Sequence, residues 1–209
     1  MLLHTAEFAP NPRRLNLFIA CKGIELATAP VDMRSGATRS EAFLARNPRG
    51  IVPMLELDDG TLLCDALAIA LYLEGLHPQP PLFGSDALER ARIVSWDQYL
   101  FTDAFQPTAD FWRNSHPAFA ESPVPGALKL PQIPALAERG RSRLLAFYVA
   151  LEAQLDERAY LVGERLSWAD ICLSAWLDFA EKVAVPVPAE CPRLRARQQQ
   201  LRAELPAVR

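Results

Sequence analysis

The residues best placed to do chemistry in this chain of 209 lie between Asn47 and Leu73. Pro53 cannot donate to a β-ladder, so a proline ahead of Met54-Leu55-Glu56-Leu57 marks a strand start or a cis bond placed after Val52. Asp65 stands where an N-cap belongs, ahead of a helix carrying Leu67, Ile69 and Leu73. Cys64, just before it, occupies a position where a thiolate would be stabilised. For Cys21, Cys64, Cys172 and Cys191 alike, however, the favoured reading is a small buried hydrophobe. No Cys-x-x-Cys pair or histidine ladder occurs, which argues against a zinc site, a dithiol redox motif and a disulfide framework. His116, in Arg113-Asn114-Ser115-His116, falls at a helix end, where an imidazole ordinarily meets the last carbonyls. Arg193, Arg195, Arg197 and Arg202 could attract an anion, but a solvated helix face is favoured for them.

The elements that must position these groups follow from punctuation and periodicity. Leu2-Leu3-His4 reads as a strand. Asn11 as N-cap with Pro12 at the first helical position opens a helix that Gly23 closes. Ala27 to Asp32 fits a second strand, and Ser40 to Arg46 a helix ended by Asn47-Pro48. Asp59-Gly60 between apolar runs predicts a hairpin, after which the Asp65 helix runs to His77-Pro78. Prolines from Pro78 to Pro81 make an extended connector, and the rest of the chain reads as helical. Asp86 with Glu89 predicts a capping box, and the helix behind it extends or restarts to about Asn114. Residues 116–134 hold too many prolines for a regular element. From Ala135 a stripe of Leu144, Tyr148, Leu151 and Leu155 faces a core. Ser167 with Asp170 forms a second capping box, heading Ile171 to Ala184, and Cys191-Pro192 opens a last helix.

Half of the residues are apolar and the net charge is -3, enough for one large core or two small ones and no field that would recruit nucleic acid. No run approaches the ~18 apolar residues of a membrane span, and the N-terminus lacks the build of a signal peptide. The expectation is a cytoplasmic protein with no nucleic-acid or membrane partner.

Taken together, Val52-Pro53 before a hairpin, an acid opening the next helix, and Gly163-x-x-x-Ser167-x-Ala169-Asp170 later in the chain resemble the cytosolic glutathione transferase family. The resemblance implies an α/β plus all-α protein, with a thioredoxin-like N-terminal domain followed by an α-helical bundle. On the sequence the domains fall at 1–78 and 86–209 with a linker over 79–85. It further implies a homodimer that transfers glutathione to small apolar electrophiles or reduces them with it. Glutathione is the co-substrate, and no metal is expected.

In that family the Val-Pro bond is cis and its main chain pairs with the cysteinyl part of glutathione. The acidic helix opener and the residue after it hold the glutamyl end. These positions are Val52, Pro53, Asp65 and Ala66, with Ile51 just before them. Arg39 falls where a basic residue often faces the glycyl carboxylate, and Arg13 could add a second guanidinium. The hydroxyl motif that many members use on the sulfur reads Ala9-Pro10-Asn11-Pro12-Arg13-Arg14, and Ala9 has nothing to donate. Asn11, the N–H groups where the first helix begins, or a water held by His116 are the candidates to replace it. Phe8, Phe105 and Trp112 are the expected electrophile wall, although aromatics at helical spacing are more often core. Ala9, Ile51 and Ala66 depart from the family pattern. They keep a second reading open, a non-catalytic transferase-fold protein that binds an apolar ligand or a partner.

Overall fold

A computed structural model describes residues 1–7, 9–155 and 158–208, which divide into two compact units. The first comprises Met1–Pro80, Val124–Leu130 and residues 206–208; the second holds Pro81–Pro123 and Pro131–Leu205.

In the first unit the order is β1 (Leu2–Thr5), α1 (Pro10–Lys22), β2 (Ala27–Pro30), a 3-10 turn (Ala37–Arg39), α2 (Glu41–Arg46), β3 (Met54–Glu56), β4 (Leu62–Leu63) and α3 (Ala66–Leu76). The sheet runs β2-β1-β3-β4, with β1 parallel to β2 and the other pairs antiparallel. A parallel neighbour needs a crossover, and α1 supplies it. Leu3, Leu15, Phe18, Met54, Leu55, Ile69 and Leu73 form the core, each at most 2% exposed. The Asp59-Gly60 turn closes as expected: Thr61 N–H donates to Asp59 Oδ1 at 2.9 Å, and Gly60 takes φ 85°, which glycine adopts without steric cost.

α1 begins two residues earlier than expected. Its N-cap is Ala9, not Asn11, and Pro10 takes the first helical position, where a fixed φ and a missing N–H do no harm. Two prolines with that property compete for one helix start, and the first wins. At the other end of α1, Lys22 Nζ lies 2.6 Å from each of the His77 and Pro80 carbonyls and from Glu74 Oε2. Lysine thereby ties the C-terminal turn of α1 to the end of α3. Since Glu74 is only 8% exposed, losing the ammonium removes a charge that faces a shielded carboxylate as well as two carbonyls. Lys22→Met is expected to lower stability by about 3 kcal/mol, read from a denaturant midpoint; a loss under about 1 kcal/mol would mean that the pair is no more than a surface one.

The second unit is helical: α4 (Ala87–Leu100), a π-helical turn (Phe101–Phe105), α5 (Gln106–Ser115), a 3-10 turn (Pro117–Phe119), α6 (Pro134–Gln154), α7 (Trp168–Lys182) and α8 (Pro192–Glu204). α7 is the central element, with Trp168 to Ala180 all buried. Asp170 is fully buried and its two oxygens divide the work: Oδ1 accepts from Leu161 N–H at 2.9 Å, and Oδ2 from Ser167 N–H at 3.0 Å and Ser167 Oγ at 2.7 Å. Asp97, 4% exposed, receives Trp168 Nε1 at 3.0 Å and Cys172 Sγ at 3.2 Å.

The expected Asp86–Glu89 box is shifted by one residue. Asp86 Oδ1 caps Glu89 N–H at 2.8 Å, but Glu89 reaches past the N-cap to Ser85, accepting its N–H at 2.7 Å and its hydroxyl at 3.0 Å. Those donors hold the Glu89 carboxyl below its ordinary value of 4.5. A depressed carboxylate stabilises the fold above its unfolded pKa and ceases to do so as pH falls through the folded one. On acidification below pH 4.5 the wild-type unfolding midpoint is therefore expected to fall more steeply than that of Glu89→Gln; parallel curves would contradict this role. The glycine of the Gly163 motif has φ 67°, a conformation glycine adopts without steric cost.

Candidate functional site

In the first unit the candidate residues gather around two chain starts and one strand entry. At the head of α1 the two prolines remove two of the usual free donors, and Arg13 N–H bonds Ala9 O at 3.0 Å. Asn11 thus supplies the one N–H among the first three helical positions. Its side chain is oriented as well. Arg14, 2% exposed, donates Nε to Asn11 Oδ1 at 3.1 Å. Because a guanidinium only donates, the amide oxygen must face Arg14, and Asn11 Nδ2 is left as a donor without a partner among the described residues.

At the strand entry the Val52–Pro53 bond is cis, and β3 starts at Met54. The turn ahead of it is organised by a residue the sequence reading treated only as a helix stop. Asn47, 1% exposed, donates Nδ2 to Ile51 O at 2.8 Å, accepts Arg49 N–H on Oδ1 at 3.2 Å, and accepts Gly50 N–H on its carbonyl at 2.9 Å. Ile51 thus contributes to the turn through its carbonyl. Among the described residues, nothing pairs with the N–H or carbonyl of Val52.

Asp65 is the N-cap of α3, and its Oδ1 accepts from Leu67 N–H at 2.9 Å and Ala68 N–H at 3.3 Å. One oxygen therefore holds the helix start, while Oδ2 and the N–H of Ala66 have no partner among the described residues. Ala66 is buried and offers main chain only. Cys64 is half-buried, and burial pushes its thiol up, outweighing the Arg49 and Arg46 charges that pull it down. A position before a helix N-terminus does not favour thiolate when the sulfur is half-buried. Arg39 donates Nη2 to the Val124 carbonyl at 3.0 Å. Arg13 stands half-buried on α1.

In the second unit, His116 caps the turn that follows it and not the helix that precedes it. Its Nδ1 accepts Ala118 N–H at 3.2 Å. A backbone N–H only donates, so Nδ1 is unprotonated and the neutral ring carries its proton on Nε2. The imidazole is exposed, beside Trp112 and Phe119, whose rings meet edge-on at 4.6 Å. Phe105 lies 4.6 Å from Trp176 and is 8% exposed, which makes it chiefly core, whereas Trp112 is half-buried. Phe8 lies outside the described residues. Among them no helix is long and apolar enough to cross a membrane.

Profiles of the glutathione S-transferase N-terminal and C-terminal domains match residues 8–76 and 134–209. Glutathione S-transferase 2 of Saccharomyces cerevisiae is 30% identical over 94% of this chain and 83% of its own length. The crystal structure of Gtt2 from the same yeast superposes with a TM-score of 0.88, at 30% identity, over 97% of this chain and 96% of that one. The maleylacetoacetate isomerase of Pseudomonas aeruginosa is 32% identical over the whole of this chain and 94% of its own. The chain belongs to the glutathione S-transferase family, with a thioredoxin-like N-terminal domain and a helical C-terminal one. Its function is of the glutathione S-transferase kind.

Proposed function

We propose that this protein is a cytoplasmic, homodimeric enzyme that binds glutathione in its N-terminal domain, residues 1–78, and transfers it to small apolar electrophiles or reduces them with it. The helical domain, 86–209, joined by a linker over 79–85, supplies Phe105 and Trp112 of the proposed electrophile wall, and Phe8 is the third expected member. The main chain of Val52 pairs with the cysteinyl residue, and Asp65 Oδ2 takes the glutamyl ammonium. The Ala66 N–H, at the positive end of α3, takes the glutamyl carboxylate, and Arg39 and Arg13 take the glycyl end. What carries the reading is that groups on residues matching the family motif, the Val52 main chain, the Ala66 N–H and Asp65 Oδ2, have no partner among the described residues.

The thiol must then lose its proton. A free thiol titrates near about 8.5, and each donor directed at the sulfur favours the thiolate. Asn11 offers its N–H and Nδ2, and the Nε2–H of His116 is the donor that would orient a water toward the sulfur. Neither carries a charge that the fold must shield, in contrast to a buried cationic activator.

Turnover with an activated aryl halide and with a hydroperoxide at saturating glutathione tests the reading, and the likeness to an isomerase adds maleylacetoacetate to the assays. His116→Ala is expected to lower kcat about tenfold with the KM for glutathione unchanged. Equal kcat in the variant would remove His116 from the mechanism. Absence of any turnover would remove the enzyme reading.

A further inference from the structure

The proline-rich stretch after α5 does more than join two helices. Its middle, Val124–Leu130, belongs to the first unit although the chain on both sides of it belongs to the second, and Pro123 and Pro131 stand at its two ends. It is seated by a backbone-on-backbone contact. A Cβ on Gly50 would lie 2.8 Å from Gly126 Cα and 2.9 Å from Gly126 N, so glycine is required at position 50 for the segment to lie where it does. Gly50 and Gly126 both have positive φ, 58° and 85°. Pro125-Gly126 therefore carries the signature of the middle of a type II turn. The carbonyl that opens this turn, on Val124, is the one that accepts the Arg39 guanidinium. The segment thus touches both the turn leading into Val52 and the side chain proposed for the glycyl carboxylate.

We propose that Val124–Leu130 is a strap that positions Arg39 for the glycyl carboxylate of glutathione and thereby sets selectivity for the free carboxylate over its ester. A guanidinium has five N–H donors in a rigid fork. The bond to the Val124 carbonyl therefore fixes the orientation in which that fork is presented. A held guanidinium loses less rotamer freedom on binding than a free one. Bound glutathione would in turn be linked through Arg39 to the strap, ordering it. Beyond the anchor, Leu128 and Leu130 are 60% and 41% exposed and Lys129 is exposed between them, so a protease can reach the Lys129–Leu130 bond.

The inference rests on glutathione being the ligand, and the tests separate the two. First, calorimetry on the wild type: no binding overturns both readings. Given binding, Pro125 to Lys129 is exchanged for a Gly/Ser run of equal length, which keeps the chain continuous and frees the strap. The variant is expected to show a KM for glutathione raised about tenfold, unchanged kcat, and an unchanged KM for the glycyl ethyl ester. An equal rise for both ligands, or for neither, overturns the strap alone. In the wild type, saturating glutathione should slow tryptic cleavage after Lys129 several-fold, and the glycyl ester should not. Equal cleavage rates with and without glutathione contradict the inference whether or not the variant folds.

Discussion

Asp65→Asn is expected to bind glutathione about 10- to 100-fold more weakly while unfolding at nearly the wild-type temperature. The two effects separate because Asp65 uses its oxygens differently. Oδ1 holds the Leu67 and Ala68 N–H groups, and asparagine caps a helix about as well as aspartate, so the variant keeps α3 in place. Oδ2 is the oxygen assigned to the glutamyl ammonium, and asparagine would present an NH2 or a neutral oxygen to a cation there. Loss of one charge-assisted hydrogen bond costs about 1.5 to 3 kcal/mol, which is the stated fold-change. Asp65→Ala should bind as poorly and also lose about 1 kcal/mol of stability with the cap. Calorimetry and thermal melts on the pair of variants check this. Unaltered affinity in Asp65→Asn would mean that the acid serves only the helix.

Asp170→Ala is expected to be the most destabilising single change described, at about 3 to 5 kcal/mol. Removing the carboxylate strands two backbone N–H groups and a hydroxyl in a fully buried place, and each unsatisfied group costs about 1 to 3 kcal/mol. A domain holds only about 5 to 15 kcal/mol in total, so the variant should unfold near physiological temperature or fail to accumulate. Asp170→Asn should rescue only part of the loss. Both aspartate oxygens accept, and an amide sets NH2 against either the Leu161 N–H or the Ser167 donors. Urea midpoints of the soluble variants test the order wild type, Asn, Ala; a midpoint for Ala within experimental spread of wild type would contradict the account of α7.

Both of these residues were legible in the sequence because their work is local. Asp65 caps within three residues of itself, and Asp170 pairs with Ser167 three residues away, so residue type and spacing suffice. The hairpin at Asp59-Gly60 was legible for the same reason. What escaped was work done at a distance. Lys22 meets carbonyls more than fifty residues away, and no local pattern announces that. Asn47 was read as a stop before Pro48, whereas its buried amide builds the turn into Val52. At Cys64 the helix N-terminus is visible in sequence, whereas the partial burial that raises its thiol is not. The start of α1 lies two residues before the expected one because Pro10 and Pro12 are equally good openers on paper. The strap escaped altogether. Its prolines said only that the stretch was irregular, and the contact that seats it joins Gly50 to a glycine in another part of the chain.

The central claim is that this chain grips glutathione with the Val52 main chain and the head of α3 although Ala9, Ile51 and Ala66 bring no side-chain donor. Calorimetric titration of the wild-type protein with glutathione tests it most directly. The account predicts saturable binding of one glutathione per chain, weakened in Asp65→Asn. Heats no larger than dilution across the millimolar range would contradict it.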